Sequence, residues 1–256
     1  MSVILILLLI FIVLFVAVGG DRGVVSLITL IGNAVIFILC TIFMSANIPA
    51  ILVTIIASVG ISALTLFYQN GRNVKTYSAM ISLVIVMVIL LLMTIIIGLQ
   101  MELGGLNEIE LKSDMVQFYT FDFHVDLRYV MIGVIIIGLL GAVLDTTVAI
   151  SSGLYEVYEH NKDLNQKELF KSGIKIGKDI LSTTFNTLYF AYIGEALMLI
   201  VYLQEYNYTF IEIINSKAFL AEFVCIIFSA IGCTLVIPIN AYIASRVYKS
   251  STFFNQ

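Results

Sequence analysis

The chain has 256 residues, 61% hydrophobic and 12% charged, with a mean hydropathy of +1.07. A soluble domain is about 45–50% apolar and about 25% charged, so this composition describes an integral membrane protein. The net charge of -4 identifies no partner, because in a membrane protein the placement of charge matters more than its sum. No basic stretch interleaves with aromatic residues, which argues against nucleic acid.

In chain order, a bilayer core about 30 Å thick asks for roughly 20 apolar residues per helix. That ruler predicts an all-α transmembrane bundle of seven spans in one domain, at 3–18, 24–44, 48–67, 76–99, 129–155, 180–203 and 218–248. The first segment has neither a basic leader nor a small-residue cleavage site, and reads as a span rather than a cleaved signal. The gap at Ser45-Ala46-Asn47 makes a tight hairpin, with Pro49 in the first turn of the next helix. The loop 100–128 is acidic, with Glu102, Glu108, Glu110, Asp114, Asp122 and Asp126. Its aromatics Phe118, Tyr119, Phe121 and Phe123 suit a short helix on the membrane surface. The loop 156–179 is charged and partly helical by pattern.

Orientation follows from Lys and Arg. With the N-terminus outside, the inner side holds Arg22, Arg72, Lys75, Lys162, Lys167, Lys171, Lys175, Lys178, Arg246 and Lys249. The outer side holds Lys112, Arg128 and Lys217. This asymmetry predicts an extracytoplasmic N-terminus and a cytoplasmic C-terminus in the cell membrane.

The polar residues inside the spans come next. Asp145 lies about 24 Å along its helix from Tyr129, in the cytoplasmic third. By the same ruler Asn33, Asn186 and Asn240 lie at similar depth on three other helices. Each belongs to a stripe at helical spacing: Gly138, Gly141, Asp145 and Ser152; Asp179, Thr183 and Asn186; Glu222, Ser229, Cys233 and Asn240; Ser26, Asn33 and Cys40. An ionisable side chain at membrane depth costs about 2.5–3.5 kcal/mol on insertion scales and is usually functional. Asp145 is therefore the candidate binding carboxylate, with Asn33, Asn186, Asn240, Ser152 and Thr183 as coordinating groups. The alternatives are a neutral structural aspartate and asparagines that only join helices. Glu195 either extends a polar path outward or is an interfacial charge. Glu222 reads as an outer-edge charge.

Two short turns, GGDRG (residues 19–23) and QNGRNVK (residues 69–75), set arginines among glycines. Asp21, Arg22, Arg72, Asn73, Lys75 and Asp179 are gating or loop candidates, with Arg22, Arg72 and Lys75 as the candidate salt-bridge partners of Asp145, against a plain reading as topology-setting turns. Cys40, Cys225 and Cys233 form no C-x-x-C pair, His124 and His160 fall in different loops, and no phosphate-binding loop occurs. The sequence thus predicts no metal and no cofactor.

GDRG, NGRNVKT, GLLGAVLDTTVAISS and SGIKIGKDILSTTFNTLYFAYIG resemble the signature blocks of the YibE/F family of bacterial multi-pass membrane proteins. The resemblance touches six of the seven predicted spans. The chain is similar to the short, YibF-type form, without the extracytoplasmic domain of longer members, and the resemblance implies pairing with a longer YibE-type partner. The chain departs from the family pattern at Ser182 and at Glu195-Ala196-Leu197-Met198, so Glu195 has no support from it. The resemblance carries no substrate.

Three functions remain open at this level. The first is a permease or permease subunit that moves a small solute or ion past Asp145. The second is a non-transporting scaffold or assembly partner, in a hetero- or homo-oligomer. The third is an intramembrane enzyme, which lacks a Ser/His, paired-Asp or metal-ligand set and is set aside. The charge asymmetry has a direct test. A cysteine placed within 108–126 is expected to react with an impermeant thiol reagent added outside intact cells, and one beside Lys167 is expected not to. The reverse labelling would overturn the orientation.

Overall fold

The computed structural model describes residues 3–46, 48–100 and 126–250. Among these, every regular element is helical. Six helices are long and apolar enough to cross a membrane. They are α1 (Val3–Ser45), α2 (Ala50–Ala63, continued by a π-helical turn Leu64–Gln69), α3 (Val74–Gln100), α4 (Leu127–His160), α5 (Gln166–Glu205) and α7 (Lys217–Ser250). A five-residue helix, α6 (Phe210–Ile214), precedes α7.

The sequence predicts seven spans, and among the described residues these fall on six long helices because the first two predicted spans share one element. α1 has 43 residues, about 64 Å of helix, twice a bilayer core. It is not straight. Gly20 has φ 54° and ψ −138°, a conformation suited to glycine. Beyond it, a side chain at Gly23 would collide with the backbone carbonyl of Phe15. In an unbroken helix those residues stand about 12 Å apart. The arm before Gly20 is therefore folded back against the arm after it. The loop expected at 19–23 is a sharp bend, with Asp21 and Arg22 exposed on it.

The other boundaries move outward rather than shift. Residues 156–160 finish α4 and residues 166–179 begin α5, so most of the predicted charged loop is helix. Asn165 and Glu168 form a reciprocal cap that starts α5. Asp126 caps α4 and holds the Arg128 guanidinium at 2.7 and 3.0 Å. Pro49 stands at the cap of α2. The predicted surface helix and its aromatic cluster at Phe118–Phe123 lie outside the described residues.

Helices α3, α4 and α7 build the core around Leu83, Val86, Leu139, Val143, Phe228 and Val236. α5 docks on α7 through two glycines. A Cβ at Gly177 would meet Ile237 at 2.5 Å, and one at Gly173 would meet Ala241 at 2.8 Å. Small residues let two backbones approach where no hydrophobic force draws helices together. Beyond this pinned end α5 leaves most of its length exposed. α1 and α2 form an outer layer around Cys40, Met44, Val53 and Ala57, joined to α4 where Gly133 receives Thr54 and Met44.

One buried amide ties the core helices together. Asn240 of α7 is fully buried. Its Nδ2 donates to the Thr147 carbonyl at 2.8 Å, and its Oδ1 accepts from Ser82 Oγ at 3.1 Å and Ser151 Oγ at 3.0 Å. Two turns further, the Tyr248 hydroxyl donates to the Ser151 carbonyl at 2.9 Å and lies 3.2 Å from Ser78 Oγ. Replacing Asn240 with Leu is expected to cost about 2 kcal/mol, from three interhelical contacts at about 0.6 kcal/mol each. Denaturant titration in mixed micelles checks this; an unchanged midpoint would contradict it.

Candidate functional site

The four polar side chains predicted to share a layer do not converge. Asn240 is the core tie just described. Asn33 is half-buried on α1, and its Nδ2 donates to Thr65 Oγ1 at 3.1 Å in the π-helical turn. Ser26, from the same stripe, accepts from Gln69 Nε2 at 3.1 Å, and Cys40 is buried against α2. The stripe Ser26–Asn33–Cys40 thus attaches α1 to α2. Both asparagine side chains bond across helices. Depth along a helix can be read from residue count, whereas the direction each face takes depends on packing.

The turn residues also resolve into local structure. Asn73 caps α3 reciprocally with Thr76: the Thr76 amide donates to Asn73 Oδ1 at 3.0 Å, and the Asn73 amide donates to Thr76 Oγ1 at 3.1 Å. Asn73 Nδ2 donates to the Asn70 carbonyl, and Gly71 takes φ 77°. Arg72 is exposed, and Lys75 lies in the first turn of α3. Arg22 lines a crevice between the two arms of α1 with Phe11 and Phe15. Among the described residues Asp145 makes no ion pair, so the salt bridge envisaged from Arg22, Arg72 or Lys75 does not form.

Asp145 stands elsewhere, on a face of α4 that the described helices leave exposed at Gly138, Gly141 and Asp145 itself. Gly138, Gly141 and Asp145 are exposed there and Ser152 is half-buried, so the predicted stripe is one real face. A Cβ at Gly141 would meet nothing within 4 Å, and one at Gly138 would meet only Cys225 Sγ, at 3.0 Å. Ser151, which bonds Asn240, lies about 120° round the helix from Asp145. α4 therefore has a closed face on the core and an open face bearing the carboxylate.

The open face continues onto α5. A Cβ on Gly153 of α4 would sit 3.3 Å from Ile176 of α5, and the two helices run antiparallel. Eight residues back along α4 is Asp145, and eight forward along α5 is Thr184. Thr183 and Thr187 are thus level with Asp145, and both are exposed. Their hydroxyls bond their own helix, at 2.8 Å to Ile180 O and 3.0 Å to Thr183 O. Asn186 and Asp179 are exposed as well and extend the polar surface round α5. Thr187 is missing from the predicted stripe, although its four-residue step from Thr183 marks it.

Glu195 belongs to a different place. It lies eleven residues beyond Thr184, about 16 Å further along α5. There it shares a crevice of about 380 Å³ with Glu222, Met131 and Tyr202. Glu222, read from sequence as an edge charge, is half-buried and faces another carboxylate.

The Asp145 surface offers one carboxylate, flanking hydroxyls and empty space above Gly141. Among the described residues no three His, Cys, Asp or Glu side chains are grouped to hold a metal ion. The chain matches the model of the YibE/F-like protein family over residues 7–250 and belongs to that family. No curated protein and no solved structure matches it.

The open position of Asp145 has an energetic consequence. Asp145→Asn is expected to change stability by less than about 0.5 kcal/mol, as for surface substitutions without a partner. The same denaturant titration as for Asn240→Leu gives the comparison. A loss approaching the 3–5 kcal/mol of a broken buried ion pair would contradict the placement.

Proposed function

We propose that this member of the YibE/F-like family is a permease or permease subunit, in which Asp145 takes up a cation or proton that accompanies a small solute. The observation that carries the reading is the position of Asp145. It is an ionisable group within an apolar helix that makes no hydrogen bond or ion pair among the described residues. The cost of placing it there is not recovered by holding the fold, which leaves binding as its use. Thr183, Thr187 and Ser152 supply oxygens nearby, and Gly141 keeps the approach clear.

Lipid cannot satisfy such a surface. The reading therefore includes a neighbouring subunit, either a longer family member or a second copy, that closes the open face of α4 and α5 and encloses an aqueous path. The chain is oriented with its basic turns toward the cytoplasm, so that Asp145 is reached from that side. The competing reading, a scaffold that binds its partner through this same face, draws on the same exposure but needs no water at Asp145.

The two readings differ in one measurement. In a background with Cys40, Cys225 and Cys233 replaced by Ala, Asp145→Cys in native membranes is expected to react with a small charged methanethiosulfonate. An equivalent cysteine at Leu139, buried in the core, is expected to stay unreactive. No reaction at position 145 would favour the dry scaffold and overturn the permease reading. Extraction in mild detergent is expected to retain a second polypeptide or a homodimer; a monomer that keeps all function would remove the subunit from the account.

A further inference from the structure

The seam between α5 and α7 holds a second set of polar groups that the Asp145 surface does not use. On α7, Glu222, Cys225, Ser229 and Cys233 follow at steps of three, four and four residues, along one face. At one end Glu222 shares the 380 Å³ crevice with Glu195, and the two carboxyls are close enough to interact electrostatically. One turn on, the Tyr192 hydroxyl of α5 lies 3.1 Å from Cys225 Sγ. At the other end Thr146 Oγ1 donates to Cys233 Sγ at 3.4 Å, and Cys233 lies within electrostatic range of Asp145.

Ser229 stands between these pairs. It is fully buried, and among the described residues its Oγ makes no hydrogen bond of good geometry, although Tyr192 and Cys225 stand beside it. A helical hydroxyl usually folds back onto the carbonyl four residues earlier, and Thr54, Ser62 and Thr147 do so here. Ser229 does not, and lies instead within interaction range of Tyr192 and Cys225. Buried polar atoms are rarely left unpaired, and water is their usual partner where protein supplies none.

We propose that this seam is a proton relay, a water-bridged line of hydroxyls and thiols that joins the Glu195–Glu222 pair to Asp145. The inference rests on Asp145 as the working carboxylate and names the proton as the ion that reaches it. From Glu222 to Cys233 is eleven residues, about 16 Å. Successive groups on α7 stand about 5–6 Å apart, a gap that one water closes with two hydrogen bonds of about 2.8 Å. A proton binds a carboxylate of the pair. Each hydroxyl, thiol or water then accepts one proton and releases another, and the last proton arrives on Asp145. Only O–H and S–H bonds form and break. Among the described residues the ionisable groups beside Glu222 are Glu195, Tyr192, Tyr202 and Cys225, and Cys233 stands beside Asp145. Beside them, Leu90 of α3 and Val143 of α4 close in on Gly232 and keep that wall of the seam apolar.

The test uses the full chain in phosphatidylcholine vesicles with an entrapped pH dye and a potassium–valinomycin potential. Proton flux is expected above that of protein-free vesicles. It is expected to fall at least tenfold in Ser229→Val and in Glu222→Gln and to persist in Ser229→Cys, which keeps a protic group. Thr234→Ala, which removes an exposed hydroxyl bonded only to its own backbone, is expected to match the wild type. Ser229→Val and Glu222→Gln must retain the wild-type melting temperature for the loss to count, and Ser229→Cys decides the question if Ser229→Val does not fold. Equal flux in wild type, Ser229→Val and Glu222→Gln would overturn the relay. Flux lost in Asp145→Asn but kept in both relay variants would overturn the relay and spare the Asp145 site. Flux kept in Asp145→Asn would overturn both. No flux from the wild type would overturn the relay, with thiol labelling at position 145 left to judge the site.

Discussion

The bundle depends on a buried amide. Inside a membrane, apolar side chains gain little by leaving lipid for protein, so helix association rests on close packing and on polar groups that find each other. Asn240 gathers three such groups, from Ser82, Thr147 and Ser151, and by doing so fixes α7 against α3 and α4 at a single rotation. The Tyr248 hydroxyl repeats the arrangement nearer the helix ends. Once that rotation is set, the direction of every other face on α4 and α7 follows.

The consequence for Asp145 is direct. With Ser151 turned inward to Asn240, the side of α4 bearing Gly138, Gly141 and Asp145 must point away from the core. The same rotation of α7 turns Cys225 toward Tyr192 of α5 and Cys233 toward Thr146 of α4. α5 adds its own polar surface, because many of its residues beyond the close approach of Gly173 and Gly177 to α7 stay exposed. The molecule is thus a packed three-helix core with α1 and α2 layered on one part of it and an incomplete polar surface on another. In a soluble protein water would complete that surface. On the proposed reading, another subunit or an enclosed aqueous path does so in a bilayer.

Much of this was legible in the sequence and some was not. The helical class and most span boundaries follow from apolar run lengths, which answer to bilayer thickness alone. The stripe at Gly138, Gly141, Asp145 and Ser152 was also legible, since helical periodicity fixes which residues share a face. Which way a face points was not legible. Asn33 and Asn240 turn toward Thr65 and Ser151 rather than toward Asp145. The bend at Gly20 was read as a loop, because glycines beside charged residues look alike in both cases. The local cap made by Asn73 with Thr76 was hidden for another reason. A basic turn between two spans draws attention to its charges, whereas the bonds that matter there are made by the asparagine.

The central claim is that the open face of α4 and α5 does not meet lipid. Spin labels on cysteines at Gly141 and Asn186, in native-like bilayers, report it directly through collision with oxygen, which concentrates in lipid, and with a water-soluble nickel chelate. A label at Phe223, an exposed apolar position on α7, supplies the lipid-facing reference. The account predicts that positions 141 and 186 collide with oxygen far less than position 223 does, being covered by protein or reached by the chelate. Oxygen collision at 141 and 186 equal to that at 223, with no access for nickel, would place Asp145 in lipid and contradict it.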